Sequence, residues 1–285
     1  SIESGDTDLV FHVLLRLKAR LSRAEFFRLV QAPLQDSLDP TSPQPTLSTS
    51  YLALASNILQ AYARNEDREL LRDLYFQDDR RTESALLAIE EAYDVPIAAD
   101  TLAEEGQEDN IAAHVKSLKE AMGFFNEDKE RLLEGKLTDE QIKLIAFQAA
   151  LEKEDPTSPT RLVGLSLNDT IRICLKRNMH KKAEKLRSDW KVPDKRFWNI
   201  KLRALVESED WDGLRAFANS KKSPIGYTPF VQRLIEAGEA SDVEQYLEKM
   251  SDKADRARLE RYLQRLPPHL GELAEAISIR LAELH

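Results

Sequence analysis

The chain has 285 residues and a formal net charge of −9, with 42% hydrophobic and 32% charged residues. Its single cysteine, Cys174, excludes an intrachain disulfide framework and a zinc site built from cysteines, and it favours a reducing compartment. No segment approaches the roughly 18 consecutive apolar residues of a membrane span, and 9 glycines are few for a fold with many glycine turns, so helices are favoured.

The N-terminal quarter of the chain shows apolar residues at helical spacing. The chain begins at Ser1 without methionine and without a signal-peptide pattern, so we expect it to be a piece of a longer protein. Two groups of residues each predict one apolar helix face, the second behind a Ser-Thr-Ser cluster that can cap a helix start. They are Leu9, Val13, Leu17 and Leu21, and Leu52, Ala55, Leu59 and Tyr62.

Three segments interrupt the helical pattern. Two are proline-rich, near 36–48 and 154–161, and both contain the sequence Asp-Pro-Thr-Ser-Pro, which cannot continue a helix. The third, 98–110, has five acids and no base and predicts an exposed connection. Because the helical pattern resumes after each segment, we predict a single α-solenoid domain over residues 1–285.

The C-terminal part of the chain consists of helix pairs of similar size. Polar turns at Asn178, Glu209-Asp210 and Gly238-Glu239 each separate an upstream helix from a downstream one, and they lie about 30 residues apart. A helix pair that repeats in this way predicts an all-α fold, an α-solenoid of stacked antiparallel helix hairpins with a period of about 30 residues. The alternative is an irregular helical domain in which the spacing is coincidental.

Residues with catalytic or metal-binding potential are scattered along the sequence. None of the five histidines lies three or four residues from another, so no helical metal pair is present. No nucleophile motif, P-loop or glycine-rich dinucleotide loop is found. We therefore predict no enzymatic activity, no cofactor and no metal. Cys174, between Ile173 and Leu175, predicts a buried structural thiol.

The distribution of charge is more informative than its total. Residues 90–160 contain 18 acids and 7 bases, a net charge of −11, whereas residues 171–203 contain 12 bases and 3 acids, a net charge of +9. A basic patch of this kind can bind an acidic protein surface, anionic lipid or nucleic acid. Alternatively, it neutralises the acidic stretch of the same chain.

The basic segment ends in a predicted helix that starts behind Pro193. Its apolar residues cover an arc of about 200°, so neighbouring helices, or a partner on one side, must cover both flanks. They are Phe197, Trp198, Ile200, Leu202, Ala204 and Leu205. We interpret Trp198 as a core residue, with a binding contact as the alternative. Lys201 lies within the arc and must snorkel or pair with a carboxylate, while Arg196 and Arg203 share one edge.

Several features of the sequence occur in an order typical of one family. They are Ser4–Phe11, Asp73–Asp79, Leu165–Thr170, Pro193–Trp198, Trp211 and Lys222–Val231. Together they closely resemble the C-terminal domains of the vacuolar protein sorting-associated protein 16 family. The likeness runs from residue 1 to about residue 231 and fades into generic helix beyond Glu236.

This resemblance implies a subunit of the HOPS and CORVET tethering complexes, which act at endosomes and at the vacuole or lysosome. Family members have a β-propeller followed by an α-solenoid, and this chain resembles the C-terminal part of the solenoid. That part binds vacuolar protein sorting-associated protein 33, a Sec1-type SNARE chaperone, and so recruits it for membrane fusion. The implied protein is cytoplasmic and peripheral on late endosomes and the vacuole or lysosome. It contacts other subunits of the complexes directly and SNAREs indirectly, and it binds no nucleic acid.

The resemblance also implies contact residues. The family's binding region matches residues 110 to about 207, which makes Arg196 the first expected contact and Leu137, on an adjacent helix, the second. Local charge adds further expected contacts, namely Lys195, Lys181, Lys182 and Arg203. The alternative function is an anionic-lipid-binding helical module, which acts at endosomal membranes through the basic patch at residues 171–203.

Overall fold

The computed structural model describes residues 7–22, 24–26, 28, 57, 59–97, 107–155, 161–239 and 242–284. The predicted loop near 36–48 lies outside these residues, as do Leu52, Ala55 and parts of the loops near 98–110 and 154–161. Within the described residues the chain is mostly helical and contains no strand, so the predicted all-α fold is confirmed.

The chain forms two compact units. The first comprises residues 1–96 and 106–139, and the second comprises residues 97–105 and 140–285. Each unit contains its own buried apolar clusters. That the whole chain acts as a single solenoid domain stays a prediction.

The first unit begins with an amphipathic helix. The helices with described bounds in this unit are α1 (Thr7–Arg20), α2 (Arg68–Gln77), α3 (Arg81–Asp94), α4 (Gln107–Glu127) and the start of α5 (Leu132–Glu154). Residues 24–26 and 59–66 are also helical, and Leu59 of the second predicted face is buried. In α1, Leu14 is buried and the half-buried Leu17 and Leu21 pack beside it, whereas Leu9 is 45% exposed. The apolar face is therefore centred near Leu14, and Leu9 lies away from it, because consecutive residues are rotated by about 100°.

A local hydrogen bond determines where α2 begins. The side chain of Asp67 accepts a bond from the backbone N–H of Leu70 at 2.9 Å and caps α2. Asp79 follows α2 with a left-handed φ of 52°, and α3 then packs on both α2 and α4. Helix α4 begins at Gln107, so residues 107–110 are helical and do not belong to the predicted loop.

The second unit is a row of stacked helices. After the end of α5 it contains α6 (Leu167–Lys176), α7 (His180–Asp189), α8 (Asp194–Glu207), α9 (Trp211–Ser220), α10 (Thr228–Glu236), α11 (Val243–Leu247), α12 (Lys253–Leu263), a 3₁₀ helix (Pro268–Leu270) and α13 (Gly271–Leu284). Helix α6 packs on α8, α8 on α10, and α10 on α12, while α7, α9 and α11 each contact the helix before them. Stacking of alternate helices is the arrangement of an α-solenoid, as predicted.

The predicted turns close the helix pairs of this row. Asn178, Glu209 and Gly238 adopt left-handed φ angles of 57°, 52° and 76°. Behind α10, the backbone N–H of Glu239 donates to the Leu234 carbonyl at 2.9 Å and satisfies one of the carbonyl groups at the end of the helix. The turns are confirmed, while a regular period of about 30 residues stays a prediction.

The core of the second unit contains the predicted apolar arc. All six apolar residues of the arc on α8 are buried. The centroids of the Trp198 and Phe217 rings lie 4.1 Å apart. Lys201 is half-buried, its ammonium lies 4.5 Å from the centre of the Phe217 ring, and burial lowers its pKa. Cys174 is fully buried, and burial raises the pKa of its thiol to about 11, as expected of a structural thiol.

The segment Leu165–Thr170 is fastened to α5 by Gln148. The buried Gln148 amide donates to the Leu165 carbonyl at 2.8 Å and to the Thr170 hydroxyl at 2.7 Å. Ser166 caps α6 by accepting the backbone N–H of Asp169. These bonds fix the start of α6 and therefore the position of its first turn.

A buried carboxylate organises the turn between α9 and α10. Asp255, on α12, accepts the backbone N–H groups of Tyr227 at 2.6 Å and Thr228 at 3.3 Å, and its carbonyl accepts the Thr228 hydroxyl at 2.7 Å. Gly226 has a φ of 77°, and a Cβ atom there would lie 2.5 Å from Asp255 Oδ1. Glycine is therefore required at this position both by conformation and by space.

Candidate functional site

A groove crosses three stacked helices of the second unit. This α6–α8–α10 groove has a volume of about 620 Å³. On α8, Asn199 and Arg203 follow Arg196 by three and seven residues. The three side chains therefore face the same side of the helix. The polar residues that line it from the other two helices are Asn168, Asp169, Arg172, Gln232, Arg233 and Glu236.

Three of the four arginines in the groove are neutralised by carboxylates of the same chain. The ion pairs are Arg172 with Asp169 (3.0 Å) and Glu207 (2.6 Å), Arg203 with Glu207 (2.7 Å), and Arg233 with Glu236 (2.8 Å). Burial raises the pKa of Glu207, but hydrogen bonds from Arg203 and Arg172 outweigh this, so the pKa is lowered overall. Glu207 therefore stays ionised and fixes both guanidinium groups.

Arg196, the first expected contact, differs from these arginines. Its side chain is exposed, and its Nε donates to Asn168 Oδ1 at 2.8 Å. No carboxylate of the described residues lies within ion-pair distance of it. Because Asn168 is neutral, the Arg196 guanidinium keeps an uncompensated charge at the edge of the groove.

The other basic residues expected as contacts lie elsewhere. Lys182 pairs with a glutamate of α5 at 2.7 Å. Lys181 and Lys195 are exposed, and neither has an ion-pair partner in the part of the chain that the structure describes. None of these three lysines lines the groove, so among the predicted contacts the structure brings together Arg196 and Arg203.

Carboxylates of the same chain neutralise part of the basic segment 171–203, but among the described ion pairs they are mostly not those of the acidic stretch 90–160 that the alternative interpretation named. The cations with described ion pairs are Arg172, Lys176, Lys182, Arg187 and Arg203. Their partners lie mostly within or next to the basic segment, and Glu154 is the described partner from the acidic stretch 90–160.

Leu137, the second expected contact, lies in the first unit near the start of α5. Its side chain is 55% exposed, and that of Leu133, one helical turn earlier, is 65% exposed. Leu132 is also exposed. Adjacent exposed leucines are typical of a surface that contacts another molecule.

Neither a metal centre nor a membrane-spanning helix is present among the described residues. Among them, no three His, Cys, Asp or Glu side chains are grouped so that they could hold a metal ion. Every helix in these ranges is too short or too polar to cross a lipid bilayer. Asn168 could not be predicted as a site residue from the sequence, although it belongs to the Leu165–Thr170 motif, because nothing in the motif shows which side chain it contacts.

The family of the chain follows from a comparison with known protein families. The family model described as "Vps16, C-terminal region" matches residues 44–279. The chain belongs to this family. The match to the Vps16 C-terminal region includes all residues that line the α6–α8–α10 groove, as well as the exposed leucines of α5. The resemblance identified from the sequence is thereby confirmed. Its expected extent was wrong, because the family match continues beyond Glu236 to residue 279.

Relatives from distant organisms align with most of the chain. A vacuolar protein sorting-associated protein 16 homolog of Dictyostelium discoideum is 32% identical over 284 residues, which is 99% of this chain and 30% of that protein. Protein VACUOLELESS1 of Arabidopsis thaliana is 31% identical over 254 residues, 89% of this chain and 27% of that protein. A probable homolog of Schizosaccharomyces pombe is 30% identical over 264 residues, 92% and 27% of the two chains. The chain thus spans less than a third of the length of each of these three proteins.

Proposed function

We propose that the chain is part of a non-catalytic adaptor subunit of the HOPS and CORVET tethering complexes. Its membership of the Vps16 C-terminal family and its relatives named for vacuolar protein sorting support this role. In this role the protein is cytoplasmic and peripheral on late endosomes and the vacuole or lysosome, where it contacts other subunits of the complexes.

The observation that carries the proposal is a cation presented without a counter-charge. Buried or clustered arginines are normally paired, and those around Arg196 are paired within the chain. We propose that Arg196 contacts vacuolar protein sorting-associated protein 33, the Sec1-type subunit, and that Leu137 contacts the same partner. Arg203, Lys195, Lys181 and Lys182 are proposed as weaker contacts. SNAREs are reached indirectly, through the Sec1-type subunit.

The proposal is tested by co-expressing the chain with the Sec1-type subunit and separating the mixture by size exclusion. We expect one peak with the two chains in a 1:1 ratio that survives dilution and physiological salt. Separate elution of the two chains, each folded by circular dichroism, would contradict the adaptor role.

A second candidate function is binding to anionic lipid. It is favoured by Lys181 and Lys185 on α7, whose side chains are exposed. In the described part of the chain, neither lysine has a carboxylate within ion-pair distance. Cations of this kind are attracted to an anionic membrane surface.

Vesicle flotation separates the two candidates. The adaptor proposal predicts little flotation of the wild-type chain with phosphoinositide vesicles at physiological salt. It also predicts that a variant with Lys181→Glu and Lys185→Glu behaves in the same way. Each basic residue near an anionic surface contributes about 1 kcal/mol, so a lipid-binding surface would lose tenfold or more in affinity with this pair of changes. Strong flotation that disappears both in high salt and in the variant would favour the lipid candidate.

A further inference from the structure

Arg196 has hydrogen-bonding capacity that the described residues do not use. Its described hydrogen bond runs from Nε to Asn168 Oδ1. A guanidinium carries five N–H donors in one plane, so this bond leaves the four N–H groups of the two Nη atoms available. Asn168 thus holds the guanidinium by one edge and leaves its outer end open.

A carboxylate fits the open end of this guanidinium. The two Nη atoms match the spacing of two carboxylate oxygens, and such paired, charge-assisted hydrogen bonds are about twice as strong as neutral ones. The acidic residues already in the groove, Asp169 and Glu236, are occupied by Arg172 and Arg233. No other carboxylate of the described residues reaches this open end, so we take the carboxylate to come from another molecule.

The walls of the groove favour a protein as the source of that carboxylate. Ile200 and Pro229 line the groove together with Arg196, and they provide apolar surface beside the charge. A short protein segment can place an acidic side chain on Arg196 and an apolar side chain on this surface. A free phosphate offers no apolar group for it.

We propose that the α6–α8–α10 groove receives an aspartate or glutamate side chain of the bound protein at Arg196, and that Asn168 is a positioning residue for this contact. The inference rests on the proposed binding of the Sec1-type subunit and names the chemistry of one contact. Asn168 is suited to the task because an amide orients the guanidinium without neutralising it. An aspartate at the same position occupies the same space and neutralises it.

The decisive variant is Asn168→Asp. It leaves Arg196 unchanged but supplies an internal carboxylate at hydrogen-bond distance, so the partner's carboxylate must compete with it. Residue 168 lies in the first turn of α6, where a negative charge is favourable, so the variant is expected to fold. We expect affinity for the Sec1-type subunit, measured by calorimetry, to fall about tenfold or more.

Gln232→Glu is the matched control. It adds the same charge to the same groove by an isosteric change, but Gln232 is not the hydrogen-bond acceptor of Arg196. Because Gln232 lines the same groove, the added charge should repel the partner's carboxylate to some extent. The fall in affinity should nevertheless be clearly smaller than in Asn168→Asp, since Arg196 keeps its charge. The salt dependence of binding should weaken in Asn168→Asp and remain in Gln232→Glu, which a purely structural role of Asn168 does not predict.

A third variant, Asn168→Ala, separates charge from position. It keeps the charge of Arg196 but releases the side chain, so binding should weaken by a few-fold while its salt dependence remains. Equal affinities of Asn168→Asp and Gln232→Glu for the Sec1-type subunit would overturn this inference and leave the adaptor role intact. Absence of binding by the wild-type chain would instead contradict the adaptor role itself.

Discussion

Replacement of Arg196 by glutamate is expected to abolish stable association with the Sec1-type subunit while the chain stays folded. The change removes the open guanidinium and places a negative charge where we propose that the partner presents its own. Loss of a paired charge together with repulsion predicts an affinity at least about 100-fold weaker, which size exclusion shows as two separate peaks. Because Arg196 is exposed, the free energy of unfolding should change by about 0.5 kcal/mol at most.

Arg261→Glu provides the control for this prediction. Arg261 is also an exposed helical arginine of the second unit, and its described hydrogen bond goes to the Ala257 carbonyl. It lies outside the groove, so the same reversal of charge should leave the complex intact. If both variants retain the partner, the assignment of the groove is wrong. If both lose it, the association depends on overall charge.

Replacement of Gly226 by alanine is expected to lower the stability of the second unit strongly. The added methyl group would meet the carboxylate of Asp255 at 2.5 Å, and the φ of 77° is unfavourable for any residue with a Cβ. Relief of the clash would break the hydrogen bonds from Tyr227 and Thr228 to that carboxylate. Strain and lost bonds together predict a cost of about 3–5 kcal/mol, measured by urea unfolding.

Gly238→Ala separates backbone strain from this clash. Gly238 has a nearly identical φ of 76°, but no atom lies within 4 Å of a Cβ built there. Its replacement should therefore cost only the strain of the left-handed conformation, about 1–2 kcal/mol. A Gly226→Ala variant that is no less stable than Gly238→Ala would show that the Asp255 contact contributes little.

Features that depend on neighbours in the sequence could be predicted from the sequence. The buried position of Trp198 followed from a wide apolar arc, and the end of α10 followed from a glycine after the last apolar residue. Both depend on helical periodicity and on the conformational preference of one residue, which the sequence displays directly. The same reasoning placed Leu9 on a buried face, and it failed there because periodicity does not show which residue lies at the centre of the face.

Features that depend on distant residues could not be predicted. Asp255 resembles an ordinary acid of a surface helix, yet it is buried because backbone N–H groups some 28 residues away point at it. Glu207 forms ion pairs with Arg172 and Lys176, which lie more than 30 positions earlier in the sequence. Whether a given arginine is paired or open depends on such contacts, so the open state of Arg196 could be seen only in the fold.

The stacking of α6, α8, α10 and α12 determines how the second unit responds to tension. In this row α6 packs on α8, α8 on α10, and α10 on α12. A force applied along the row therefore passes through these contacts one after another. The contact that is weakest under load opens first and releases one helix pair, while the remaining pairs stay closed. We therefore expect the second unit to lengthen in steps under tension and to close again when the tension falls.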